Sequence, residues 1–219
     1  MSEEFNGIES GVRPRINAQE VDEYFEAYPE RADEFLDFAR NLYTVLPEGE
    51  REEFAKHPTT FTSKQFLFRG LTMEKAKDLR SRKELLPQSG DLGAGTGVFL
   101  SDSPISAFQY QQKEVIAIFD RNELDLMGDT IIEAATAEYK QRIEELLSGL
   151  TPSERRAAVY EVDDKMDLAY KPKEGATGKN VSLRKKQPLS AVHSFLSFKN
   201  GQYVSMTVGE FLEDEQLAA

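Results

Sequence analysis

The sequence predicts an α+β fold, with helices first, strands and helices interleaved after them, and a hairpin last. Three observations carry this. Residues 21–43 keep a helical apolar period, and Val115-Ile-Ala-Ile-Phe119 is a continuous apolar run of strand length. Asn200-Gly201 separates two strand-like segments, which is the strongest short hairpin signal.

Val21, Tyr24, Phe25 and Tyr28 follow the i, i+3, i+4, i+7 rule, and Pro29 interrupts them. Ala32, Phe35, Leu36, Ala39, Leu42 and Tyr43 continue as a second helix, expected to end at Pro47 and Gly49. Gln65 to Leu71 reads as a strand, and Thr72 as the N-cap of a helix that starts at Met73 and buries Ala76 and Leu79. A glycine-rich loop from Ser89 to Gly97 leads into a Val98-Phe99-Leu100 strand, and Pro104 opens a short helix. Thr130 and Glu133 make a capping box, which predicts a long helix with a stripe of Ile132, Ala135, Tyr139, Ile143, Leu146 and Leu150. Thr151 and Glu154 start another helix, although Val159-Tyr-Glu-Val162 also fits a strand. Residues 171–187 read as an exposed loop. The expected organisation is an N-terminal arm and helical segment over 1–59 and one domain over 60–219.

Composition narrows the function. The 219 residues include 14 Phe and 8 Tyr but no Trp and no Cys, so disulfides, a thiolate nucleophile and Cys-ligated zinc are excluded. With only two histidines a poly-His metal centre is not expected either. A net charge of -12 argues against binding a nucleic-acid backbone. No apolar run approaches the roughly 20 residues of a membrane helix, and the acidic start is unlike a signal peptide. A soluble, cytoplasmic protein without a membrane partner is the expectation.

The chemistry-bearing residues cluster in the middle of the chain. Phe68-Arg69-Gly70 ends one strand, Phe99-Leu-Ser-Asp-Ser103 forms another, and Tyr110 follows Phe99 with ten residues between them. An arginine fork suits phosphate or ribose oxygens, and a following glycine lets a ligand approach the main chain. Aromatic rings suit both faces of a flat cationic ring. Ser101 and Ser103 share one face of their strand.

These motifs resemble the ADP-ribosyltransferase superfamily, of the diphtheria-toxin and PARP-like or the Arg-Ser-Glu type. Asp102 stands where Thr is usual, and Phe99 stands in for the first tyrosine of the aromatic pair. The resemblance implies a split β-sheet core that holds NAD as substrate through Arg69, Gly70, Phe99, Ser101, Ser103 and Tyr110. It implies cleavage of the nicotinamide–ribose bond and transfer of ADP-ribose to a macromolecular acceptor, a protein, with Arg69, Tyr110 and Gln202 as the catalytic set. Gln202 occupies the place of the family's late-strand glutamate, and an amide cannot offset positive charge as a carboxylate does. Glu133, Glu161 and Asp163 are rival acids. A non-catalytic NAD- or protein-binding module of the same fold is the alternative.

A second motif competes. Asp91-Leu-Gly-Ala-Gly-Thr-Gly97 resembles the glycine loop of methyltransferases that use S-adenosylmethionine, with Asp120 at the end of a later strand. That loop needs a buried strand before it and a helix directly after it. Here Leu86 to Gly90 is turn-like and a strand follows. Gly175-Ala-Thr-Gly-Lys179 is a poor echo of a phosphate loop and reads as loop.

Overall fold

The computed structural model describes residues 14–89, 96–109, 114–158, 161–171 and 177–215. It opens with three helices, α1 (Ala18–Tyr24), α2 (Pro29–Val45) and α3 (Glu48–Lys56). Strand β1 (Phe66–Leu71), helix α4 (Met73–Arg82), the short strands β2 (Glu84–Leu85) and β3 (Gln88–Ser89), and strand β4 (Thr96–Ser101) follow. Next come α5 (Pro104–Gln109), β5 (Val115–Asp120), β6 (Ile132–Glu133), α6 (Ala137–Leu147) and α7 (Pro152–Ala158). The last part holds β7 (Leu168–Tyr170), β8 (Asn180–Leu183), β9 (Gln187–Pro188), β10 (Val192–Lys199), β11 (Gln202–Met206) and α8 (Val208–Glu213).

The fold is mixed α+β around a mixed sheet in the order β11-β10-β5-β1-β4-β8-β7-β6, with β3 added to β4 and a separate β2–β9 pair. Among the described strands β6 and β7 run parallel, and the other pairs run antiparallel. Strand alternation gives the central strands two apolar faces. On one, Phe66, Phe68, Ile116, Ile118, Leu196 and Tyr203 share a core with Phe35, Phe38 and Leu42 of α2 and Phe108 of α5. On the other, Leu67, Ala117, Phe119 and Phe195 meet Ala76 and Leu79 of α4 and Phe211 of α8. The first helices therefore share a core with the sheet. Of the first four apolar residues expected inside, Val21 and Phe25 are buried, while Tyr24 and Tyr28 are 43% and 61% exposed.

Several elements form where expected. Thr72 caps α4 by accepting from Lys75 N, and Pro104 opens α5. Asn200 and Gly201 take φ of 52° and 83°, the left-handed pair that a two-residue hairpin loop requires. The outer strand of that hairpin is β11, whose Tyr203 N donates to Asp37 Oδ2 of α2.

Other elements differ from expectation. Helix α2 ends at Val45, ahead of Pro47 as expected, but an unexpected helix, α3, follows at once, with Pro47 just before its first turn, where a missing N–H costs nothing. The long helix predicted from Thr130 does not begin there. Ile132-Glu133 pairs with Leu168-Ala169 as strand, Ala135 takes a positive φ of 67°, and the helix starts at Ala137 under an N-cap from Thr136. Glu133 instead holds Lys179 Nζ at 2.7 Å. The predicted loop over 171–187 contains β8, whose Val181, Ser182 and Leu183 are buried between β4 and β7. Thr151 and Glu154 do start a helix, α7, while Val159 and Tyr160 lie outside the described residues. No described helix is long and apolar enough to cross a membrane.

Candidate functional site

At its middle the sheet is joined by a single ladder pair. Strands β1 and β5 register over six pairs, from Phe66↔Asp120 to Leu71↔Val115, and β4 and β8 over four. Between these halves, β1 and β4 pair only at Phe68↔Ser101. Beyond that bridge the two main chains part. In the opening, Arg69 Nη1 donates to Phe99 O at 3.0 Å, so a guanidinium replaces a ladder hydrogen bond. Arg69 Nη2 reaches Gln88 Oε1 at 3.5 Å, which places β3, paired to β4 at Gln88↔Gly97 and Ser89↔Thr96, on the β1 side of β4. Arg69, Gly70 and Phe99 are each half-buried along this opening.

Alternation along the strands places these side chains. Leu67 and Leu71 belong to the α4-side core, so Arg69 between them leaves β1 on that side. Val98 and Leu100 belong to the same core, so Phe99 leaves β4 on the opposite side, with Ser101 and Phe68. Guanidinium and ring thus come from opposite faces of the sheet. Helix α5 covers the Phe99 side and ends at Gln109. Tyr110, expected as the second ring of the sandwich, lies outside the described residues.

The serine strand lies against the start of β8. Ser101 Oγ donates to Lys179 O at 3.4 Å and accepts from Ser103 N at 3.2 Å, and Ser103 is fully buried with no partner for Oγ. Both therefore face the start of β8. Asp102 between them is the hub. Its Oδ1 accepts from Lys179 N at 2.6 Å, its N donates to Lys179 O at 3.1 Å, and its O accepts from Ser63 N at 2.9 Å. Gly178, at φ 75°, permits this approach, since a Cβ there would lie 2.3 Å from Asp102 Oδ1. Burial pushes the Asp102 carboxyl above its ordinary pKa, opposed by the Lys179 N–H and by the Arg121 charge.

The candidate acids are dispersed. Gln202 is not brought to Arg69. Arg69 aligns with Ala117, Ala117 with Phe195 and Phe195 with Met206, and Gln202 lies four residues further along β11. Three strand spacings of about 4.8 Å and a run of about 13 Å along the strand separate the two by roughly 19 Å. Gln202 instead pairs with Lys199 beside the hairpin turn. Glu133 sits on β6, at the far edge of the other half-sheet. Glu161 is exposed, and Asp163 accepts from Tyr139 Oη at 2.8 Å, raising that phenol, with burial as the larger cause, to about 12.

Three further residues hold β3 and β4 in place, and none of them is among the expected site residues. Gln88 contacts Arg69. Arg184, only 3% exposed, donates from Nη1 to Thr96 O at 2.8 Å and from Nε to Met166 O at 3.1 Å. Asp164 Oδ1 lies 3.1 Å from Arg184 Nη1 and accepts from Thr96 N at 3.3 Å. Together Arg184 and Asp164 pin the first residue of β4. In the sequence Arg184 begins a basic triplet typical of surface charge.

Asp91 to Gly95 lie outside the described residues, but the segments flanking them pair antiparallel as β3 and β4. A methyl-donor loop needs a strand-to-helix turn, and this segment joins two strands of a hairpin. The second glycine motif runs partly outside the described residues, and its Lys179 leads directly into β8. Among the described residues no group of three or more His, Asp or Glu side chains is placed to hold a metal ion. No family model, curated protein or solved structure matches this chain.

Proposed function

We propose that this chain is an ADP-ribosyltransferase-like protein that binds NAD at the opening between β1 and β4. In this reading it cleaves the nicotinamide–ribose bond and passes ADP-ribose to a protein acceptor in the cytoplasm. The observation that supports it best is the single Phe68↔Ser101 bridge, beyond which Arg69 stands between two parted strands. A slot of this kind admits a flat ligand to main-chain groups that a continuous ladder would occupy. Gly70 lacks a side chain beside it. The guanidinium is held by Phe99 O at a defined place, with fork geometry suited to phosphate or ribose oxygens. Phe99 supplies an aromatic face, and the segment continuing from α5 carries Tyr110 as its partner in this reading.

A second reading, binding of NAD without turnover, is favoured by the position of Gln202, which lies roughly 19 Å from Arg69 by strand spacing. Transfer through an oxocarbenium-like ribose calls for a nearby negative group. Incubation with labelled NAD and lysate, in parallel with labelled S-adenosylmethionine, separates the readings. Transfer of label from NAD, lost in Arg69→Ala, is the expected result. NAD binding without transfer selects the second reading, and labelling from the methyl donor alone overturns both.

A further inference from the structure

Away from the opening, a groove of about 580 Å³ lies between the start of α3, the segment before β1 and the residues after β5. Pro47, Glu50, Phe61, Lys64, Arg121 and Asn122 line it. Its charged groups are unevenly satisfied. Glu50 accepts from Ser63 Oγ at 2.6 Å, Lys64 N at 2.8 Å and Gln65 N at 3.2 Å, three of the roughly four acceptor positions of a carboxylate. Asp120 nearby accepts from Gln65 Nε2 at 3.3 Å and Asn122 N at 2.9 Å. Arg121 differs. Its side chain is 27% exposed, yet the guanidinium makes one long hydrogen bond, from Nη2 to Ser63 O at 3.4 Å. Its nearest carboxylate oxygen, Asp102 Oδ2, is 4.0 Å away, and the buried Nε has no partner.

A guanidinium drawn partly out of water with most of its fork unused is costly, and burial lowers its pKa accordingly. The Asp102 and Glu50 charges offset part of that burial, but neither carboxylate comes within hydrogen-bonding distance of the guanidinium. An oxyanion from outside would relieve it through the paired acceptor geometry that a guanidinium prefers. Lys64, exposed on the rim, adds a second cation, while Glu50 and the exposed Glu53 keep the groove from being a general anion sink.

We propose that this groove is a binding site for a small oxyanion group, a phosphate ester or a carboxylate, anchored by Arg121. The site is separate from the β1–β4 opening, and it stands whether or not NAD is the substrate there. Titration of isotope-labelled protein with inorganic phosphate and, separately, with acetate tests it by following the main-chain amides. Saturable shifts at Lys64, Gln65 and Asn122 are expected with at least one probe, and which probe saturates tells phosphate from carboxylate. Arg121→Gln should weaken that binding about tenfold or more, and Arg121→Lys should fall between, having charge without the fork. Absence of saturable shifts at these amides with both probes, in the unaltered protein, overturns the proposal. So does unchanged affinity in a folded Arg121→Gln variant.

Discussion

The Arg69 guanidinium and the Phe99 main-chain oxygen, 3.0 Å apart, close with a side chain what a β-ladder elsewhere closes with main chain. The pair therefore couples the ligand-binding proposal to the integrity of the sheet. Arg69→Ala leaves Phe99 O without this donor in a half-buried place. It should cost about 1–3 kcal/mol of stability and abolish measurable NAD binding. Arg69→Lys should recover part of the stability but little of the binding, because it lacks the fork. Thermal unfolding and calorimetric titration with NAD, run on both variants, check this.

Arg184 bonds the main-chain oxygens of Thr96 and Met166 from a nearly fully buried position. Arg184→Met retains much of the bulk but removes both donors and the partner of Asp164. A loss of about 2–4 kcal/mol is expected, read as a lower midpoint in denaturant with an unchanged slope. If Thr96 positions the opening, NAD affinity should fall in the folded variant as well.

Asp102 yields a pH prediction. Its carboxyl is held above the ordinary aspartate value of 3.8, chiefly by burial. The folded state thus binds the proton more tightly than the unfolded state does. This group's contribution is most favourable at acid pH and declines as pH rises from 3.8 through the raised folded value. Asp102→Asn keeps an oxygen that accepts from Lys179 N and removes that dependence. Unfolding curves across the window should diverge between the two proteins, with the variant gaining relative stability toward neutral pH. Parallel curves would contradict the assignment.

Gln202 offers the sharpest test of strand order. If it were the third member of the site, Gln202→Glu would raise transfer from NAD. From its place on β11, beyond β5 and β10, it should change neither NAD affinity nor turnover by more than about twofold. Titration and label transfer on this one variant decide the matter.

Local signals were legible where one physical rule acted alone. The Thr72 cap, Pro104 at the first turn of α5, the apolar run of β5 and the Asn200-Gly201 turn each formed as their chemistry required. The reading failed where two rules competed. Pro47 both ends one helix and precedes another, and Thr136 rather than Thr130 captured the cap of α6. Strand β8 was hidden because Asn180-Val-Ser-Leu183 is short, polar at alternate positions and flanked by Lys179 and Arg184. Its burial comes from neighbours far away in the chain. The same limit governs the site. Arg69, Gly70 and Phe99 could be proposed as partners from adjacent motifs, whereas the distance of Gln202 depends on sheet order, which no local pattern encodes.

Tyr203 N, on the outer side of β11, is already engaged by the Asp37 carboxylate. A strand from another molecule approaching this flank would find a hydrogen-bond donor taken. It would also find a negative charge facing its own carbonyl oxygens. One helix residue thereby makes the hairpin flank a poor template for edge-to-edge growth, a safeguard against fibre formation that leaves the hairpin itself unchanged.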